Sequence, residues 1–224
     1  MKLIDFHAHI LPKADHGSNS IDISLAQVKL AESVGISKIV ATPHFYPHEH
    51  TLDDFVARRD LAYDELAKRN DSSVEIIKAA EVLLCEGIEN IKGLEKLCIG
   101  NSRAILAELP FSQFKSAYIT SIKNMIYDGY KVILAHADRY DQRNIEELIY
   151  VGALIQLNAS AFSTFLTKKV YTDWIKQGLV VGIGSDIHME DHVAYKQFTK
   201  AIKKIGTEAA SNIMQSSQKI IDNQ

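Results

Sequence analysis

The chain has 224 residues, 46% of them apolar and 24% charged, with a formal net charge of −3; at about 100–200 residues per domain this points to a single globular domain. That charge excludes the strongly basic surface needed to wrap nucleic acid or to dock on an anionic membrane. Eleven glycines and four prolines exclude low complexity, and two cysteines, Cys85 and Cys98, exclude a disulfide scaffold.

The stretch up to Pro12 has no apolar run of the about 7–15 residues that a signal peptide requires. No window approaches the roughly 18 apolar residues of a membrane span. With so few cysteines, the expected location is a reducing compartment, the cytoplasm.

In chain order, a first strand is predicted at Lys2–Phe6. Ile21, Leu25, Val28, Ala31 and Val34 follow at three- and four-residue spacing, which lines one face of a helix. Gly35 reads as its C-cap, and Lys38–Thr42 as the second strand. Val74–Ala79 and Ala104–Ala107 are the third and fourth strands, and the region between Ala80 and Ile99 fits neither period. Tyr118, Ile122 and Met125 stripe another helix, stopped by Gly129 ahead of a fifth strand at Val132–Ala135. Gly152 and Gly178 precede the sixth and seventh strands, Leu154–Leu157 and Leu179–Ile183. Residues 191–222 read as terminal helices, with the lysine-rich stretch 196–204 as a solvated face.

Near-continuous apolar strands alternating with helices imply a parallel sheet covered on both faces. Seven units of about 32 residues fit a distorted, TIM-like (β/α)7 barrel, an α/β fold in a single domain spanning 1–224. A doubly wound open sheet is the alternative.

Residues able to bind metal recur just beyond these strands: His7 and His9, His44, Glu81, Glu108, His136, then Asp186 and His188. In a parallel barrel those strand ends share one face. A lone histidine is more often structural, but His, Asp or Glu at six strand ends is a strong signal. In His7-Ala8-His9 both imidazoles leave the same side of an extended chain, and Asp186-Ile187-His188 repeats the spacing. A nitrogen and carboxylate set without thiolates suits manganese, iron or zinc. The ligands are too many for one ion, so two or three divalent metals are expected, which activate water and clamp phosphate or carbonyl oxygens.

The segments Asp5-Phe-His-Ala-His9, Ala41-Thr-Pro-His44, Ala80-Glu81, Glu108, His136-Ala-Asp-Arg-Tyr140 and Gly184-Ser-Asp-Ile-His188 together resemble the polymerase-and-histidinol-phosphatase superfamily. Within it, their order is most similar to the bacterial manganese-dependent protein-tyrosine phosphatases of capsule and exopolysaccharide systems. The resemblance runs from about residue 3 to 190. It implies a distorted seven-unit barrel holding three metals. His7, His9, Glu81 and Asp186 would hold the first, and Glu81 would bridge to a second held by Glu108 and His136. His16, His44 and His188 would hold the third. This chain reads Asp15-His16-Gly17 where the family usually carries Asp-Asp-Gly. Histidine is a ligand type there in other superfamily members, so the third site is expected to survive.

The implied reaction is hydrolysis of phosphotyrosine by metal-bound hydroxide, with Mn2+ as the first choice of cofactor and Fe or Zn as alternatives. The implied partner is a phosphotyrosine protein tail, that of a tyrosine kinase of polysaccharide synthesis, with no nucleic acid and no stable membrane insertion. An oligomer is compatible with this reading. Arg139 is the candidate phosphate clamp, since its planar fork matches phosphate oxygens; the competing reading is a surface salt bridge. His44 and His188 are the candidates for a general acid if ligation leaves them free. The alternatives are a histidinol-phosphate or other small-molecule phosphatase, a cyclic amidohydrolase, and a catalytically silent scaffold.

Asp15 is a candidate second-layer partner of a ligand histidine. Phe45, Tyr46, His48 and His50 read as a loop that either lines the site or packs on itself. Cys85 and Cys98 read as small buried hydrophobes. Four residues separate Cys98 from Arg103, one fewer than in a cysteine-phosphatase loop.

Overall fold

The computed structural model describes residues 2–111, 113–164, 167–189 and 192–223. All seven expected strands are present, and two short ones extend the series. The order is β1 (Leu3–Ala8), α1 (Ile21–Ser33), β2 (Ile36–Ala41), β3 (His44–Phe45), α2 (Leu52–Arg69), β4 (Glu75–Lys78), β5 (Glu81–Leu83) and β6 (Ala104–Glu108). Then come α3 (Ser116–Tyr127), β7 (Lys131–Leu134), α4 (Gln142–Tyr150), β8 (Leu154–Asn158), α5 (Lys169–Lys176), β9 (Val180–Gly184), α6 (His192–Ile205) and α7 (Thr207–Ile221). The region between β5 and β6, unreadable from periodicity, holds two 3-10 turns, Ile88–Asn90 and Leu94–Leu97.

The strands pair in parallel throughout, in two sheets ordered β1-β2-β4 and β3-β5-β6-β7-β8-β9. These are halves of one wall. β3 resumes the path of β2 after Thr42-Pro43, and β5 resumes β4 after Ala79-Ala80. Pro43 has no N–H to give to a ladder, yet its carbonyl accepts from Glu81 N at 3.0 Å, and Thr42 N reaches Ala8 O at 2.9 Å. On the far side, β9 meets β1 without a ladder. Two backbone bonds cross that seam at its C-terminal end, from Asp186 N to His7 O (2.8 Å) and from His9 N to Ile187 O (2.9 Å). The fold is a distorted barrel pinned shut where the ligand residues gather.

The helices follow their expected signals. Ser20 caps α1 by accepting from Ile23 N, and Val28 and Ala31 on its inner face are buried. Gly35, at φ +85°, turns the chain into β2, a conformation that costs a side chain with Cβ. Tyr118, Ile122 and Met125 of α3 are buried, as expected. Gly206 divides the terminal stretch into α6 and α7, and Lys196, Lys200, Lys203 and Lys204 are exposed opposite buried Tyr195, Phe198 and Ala201. Residue 191, where that stretch was expected to begin, lies outside the described residues.

α7 covers the β9–β1 seam: Ser217 Oγ donates to Val181 O at 2.7 Å, and Ile4 N reaches Met214 Sδ at 3.2 Å. Inside the seam Phe6 is fully buried against Gly182. No helix among the described residues is long and apolar enough to cross a membrane.

Candidate metal centre

The candidate ligands gather toward one end of the wall: Glu108, His136 and Asp186 at or just past strand ends, and His44 and Glu81 where β3 and β5 resume the paths of β2 and β4. His7 is the penultimate residue of β1 and His9 follows the strand, both wholly buried, and β1 breaks register with β2 between Asp5 and Ala8. Such irregularities re-aim side chains beside functional sites. His136 and Asp186, directly after β7 and β9, adopt φ of 32° and 54°. Left-handed backbone is uncommon for residues with a Cβ and marks positions held by their surroundings.

Glu81 is the hub. Its Oε2 lies 3.2 Å from His7 Nε2, 3.3 Å from His9 Nε2 and 3.0 Å from His44 Nδ1. Its Oε1 lies 2.7 Å from His136 Nε2. Glu108 sits 3.6 Å from His44 Nδ1 and 3.7 Å from His136 Nε2, and Asp186 Oδ1 is 3.3 Å from His9 Nε2. Among the described residues, three groups place their ligand atoms within 4.8 Å of one another: His7–His9–Glu81, His44–Glu81–Glu108 and His9–His44–His188. A neutral imidazole offers one lone pair, so of the residues shared between groups Glu81, with two oxygens, is the one suited to bridge two ions.

His16 is exposed and belongs to none of these three groups, but its ring stacks at 4.7 Å on His44 and 4.9 Å on His188. The chain thus brings six of its nine histidines to one place. His48 is exposed away from the centre, and His50 lines a cleft of about 330 Å³ with His16, His44 and Tyr46. The expected loop after His44 begins as strand β3, so Phe45 is buried against Phe55 at 5.1 Å and belongs to the core. Tyr46 stacks on His44 at 5.0 Å.

A divalent ion fits this donor set. His44 Nδ1, Glu81 Oε2 and His136 Nδ1 are buried with no hydrogen-bond partner, which costs free energy unless something else satisfies them. His7 Nε2 and His9 Nε2 also approach to 3.0 Å. Four of these atoms, His44 Nδ1, Glu81 Oε2, His7 Nε2 and His9 Nε2, converge on one buried space and outline an ion's coordination shell.

The carboxylates of the centre are ionised and His188 is neutral. Burial opposes charge on Glu81, but His7 and His136 outweigh it and hold the carboxyl well below the usual range. Burial likewise works against the Asp186 carboxylate, and His7, His9 and Arg139 overcome it and lower its pKa. Burial and the neighbouring His9 push His188 down to about 4, so its imidazole is neutral at pH 7 and able to ligate. Burial also resists charge on His7 and His9, while the carboxylates around them raise both.

A second layer orients the candidate ligands, an arrangement typical of metal-binding histidines. Asp15 Oδ2 accepts from His9 Nδ1 at 2.7 Å and from His44 N at 3.0 Å, and its Oδ1 accepts from Gly17 N. Gln156 Oε1 accepts from His7 Nδ1 at 3.0 Å and His136 N at 2.6 Å. Asn158 Nδ2 donates to Asp186 Oδ2 at 3.0 Å. Asp5 accepts from both N and Oγ of Ser185, fixing the turn that carries Asp186. Gln156 and Asn158 are absent from the sequence reading; the available signal was two amides in an otherwise apolar strand, the one strand with no ligand at its end.

Arg139, expected in a loop, closes a 3-10 turn, Ala137–Arg139. Its guanidinium Nη2 donates to Asp186 Oδ2, and the side chain is 41% exposed. It is an ion pair, but one made to a candidate ligand at the rim of the centre rather than on open surface.

The fold and centre together define an α/β barrel with a candidate metal centre at one end of its strands. A family model described as "Capsular polysaccharide synthesis, CpsB/CapC" matches residues 3–222, and the chain belongs to that family. CapC of Staphylococcus aureus is 30% identical over 205 residues, covering 83% of this chain and 77% of that protein. The tyrosine-protein phosphatase CpsB of Streptococcus pneumoniae is 26% identical over 230 residues, covering 94% of each chain. A solved structure described under YwqE from Bacillus subtilis and CpsB from Streptococcus pneumoniae, "unique metal-dependent tyrosine phosphatases", matches with a TM-score of 0.80. It is 22% identical and covers 99% of this chain and 95% of that one. A TatD-family hydrolase from Entamoeba histolytica shares the fold at TM-score 0.59 and 10% identity.

Proposed function

We propose that this chain is a metal-dependent phosphatase that hydrolyses phosphotyrosine in a protein tail, that of a tyrosine kinase serving polysaccharide synthesis. We propose further that residues 1–224 act as one catalytic domain in the cytoplasm, with Mn2+ as the resident ion. The observation that carries the reading is the convergence of histidine and carboxylate groups on Glu81 with Arg139 at the rim. Relatives named as tyrosine-protein phosphatases support it.

His7, His9, Glu81 and Asp186 would hold one ion, Glu81 with Glu108 and His136 a second, and His16, His44 and His188 a third. When bound, such ions supply acidity to a water and positive charge against phosphoryl oxygens. The chain supplies the rest. Asp15 and Gln156 fix the Nδ1 atoms of His9 and His7, leaving Nε2 of each turned inward. A guanidinium has five N–H donors; Arg139 commits one to Asp186, and others can grip a phosphoryl oxygen as charge builds on it. A tyrosine leaving group, with an unperturbed pKa of about 10, departs more readily than an alkoxide, so a strong general acid matters less. His44 and His188 are the side chains placed to give that proton where ligation leaves them free.

The test is a panel on purified protein: p-nitrophenyl phosphate, a phosphotyrosine peptide, histidinol phosphate and a dihydroorotate-type amide. Rapid phosphate release from the peptide is expected. Preference for histidinol phosphate, or cleavage of the amide, overturns the proposal.

A further inference from the structure

Three clefts open around the metal centre, and their chemistry differs. The one beside His16 and His44 is polar, lined by Lys13, Glu49, His50 and Arg58. The one beside His188 is mixed, with Asn158, Ser160 and Gln197 alongside Ile187, Met189 and Ala194 and no aromatic ring but the imidazole, and it too reaches Arg139. The third, of about 210 Å³, is lined by Leu109, Pro110, Phe111, Phe114, Tyr118 and Tyr140 together with Arg139, Asp141 and Asn144.

That slot adjoins the chemistry directly. Leu109 follows the candidate ligand Glu108 in the chain, and the Tyr140 ring stands 5.6 Å from the His136 ring. Tyr140 Oη donates to Leu109 O at 3.0 Å, which ties the two walls together and faces the phenol's polar end toward backbone. The Phe111 ring is tilted against Tyr140 at 6.3 Å yet is 79% exposed. With Leu109, Pro110, Phe114 and Tyr140 it forms one contiguous apolar surface beside a charged centre, the kind of patch that marks a binding site.

We infer that this slot receives the aromatic ring of an aryl phosphate monoester and thereby selects phosphotyrosine over alkyl phosphates. The inference rests on the phosphatase reading and takes it one step into substrate choice. In an aryl phosphate the ester oxygen is bonded to the ring, so the ring must lie immediately beside the phosphoryl group, where this slot opens. A cavity of roughly 150 Å³ lined by aliphatic and aromatic side chains suffices for a benzene ring. Offset or edge-on contacts with Phe111 and Tyr140 then favour the ring over an alkyl chain by about five- to tenfold.

The experiment is calorimetric titration of metal-loaded protein with phenylphosphonate and with methylphosphonate, neither of which is hydrolysed. Wild type is expected to bind the phenyl compound about five- to tenfold more tightly. Phe111→Ala should cut that preference to within about twofold, and Phe111→Tyr, which keeps a ring, should retain it. Because Phe111 is exposed, its loss leaves the core intact; Phe114→Ala provides a second wall variant with the same expectation. Equal binding of the two phosphonates by wild type, or an unchanged preference in both alanine variants, overturns the slot. The phosphatase reading fails separately, if wild type releases no phosphate from any monoester of the panel.

Discussion

His9 and Asp15, six residues apart, share a bond of 2.7 Å between imidazole Nδ1 and carboxylate Oδ2. It assigns a proton to Nδ1 and turns Nε2 inward, 3.3 Å from both Glu81 and Asp186, where an ion would take the place of the Nε2 proton. The same carboxylate holds Gly17 N and His44 N, so one side chain sets two ligands. Gly17 is needed for that approach, since a Cβ there would meet His9 O at 2.7 Å.

Outer partners of ligand histidines typically carry about 10- to 100-fold in metal affinity. Asp15→Ala should weaken metal binding by about that factor, read by competition with a coloured chelator. Unchanged affinity would show that the His9 ring is held by packing alone.

Arg139 ties to Asp186 through one arm of a planar fork. If its other donors grip phosphate, Arg139→Lys cannot rescue the function, because a point charge does not reproduce the fork. Both Arg139→Lys and Arg139→Ala should lose at least about tenfold in kcat/KM, about 1.4 kcal/mol, with metal content unchanged. Wild-type kinetics in Arg139→Ala would reduce this residue to a surface ion pair.

The β9–β1 seam depends on a missing side chain. A Cβ on Gly182 would meet Phe6 Cβ at 2.7 Å, and Phe6 is fully buried with no room to swing. Gly182→Ala should therefore destabilise by about 1–3 kcal/mol, at about 2–4 °C of Tm per kcal/mol in a chain of this size. A thermal melt coincident with wild type would mean the seam opens freely.

The strands were legible because parallel strands buried on both faces read as apolar runs: Lys131–Leu134 and Val180–Gly184 lie within a residue or so of their expected places. β3 and β5 were not, being two and three residues long and carrying His44 and Glu81 in place of apolar signal. The candidate ligands stood out because charged and imidazole groups ended one strand after another. Gln156 and Asn158 did not, since an amide inside an apolar strand carries no sign of what it will bond. Their partners His7 and Asp186 lie 149 and 28 residues away, a proximity only the closed wall creates. The Arg139–Asp186 pair, 47 residues apart, was hidden for the same reason.

Neither cysteine is placed as a nucleophile. Cys98 is buried and its thiol is pushed up to about 12, chiefly by burial; burial raises Cys85 as well. A reactive cysteine needs its thiolate near neutral pH. Replacing both with alanine or serine should leave phosphotyrosine hydrolysis within a few-fold of wild type, and thiol-alkylating reagents should inhibit little. Loss of activity in a single cysteine variant with its metals still bound would point to a covalent route through sulfur.

Phosphate release from a phosphotyrosine peptide, measured before chelation, after it, and again with Mn2+ restored, bears most directly on the proposed function. Activity should vanish with the metal and return with it, while His9→Ala and Asp186→Ala stay inactive under all three conditions with unchanged far-UV spectra. Full activity in chelated, metal-free protein would contradict the account at its centre.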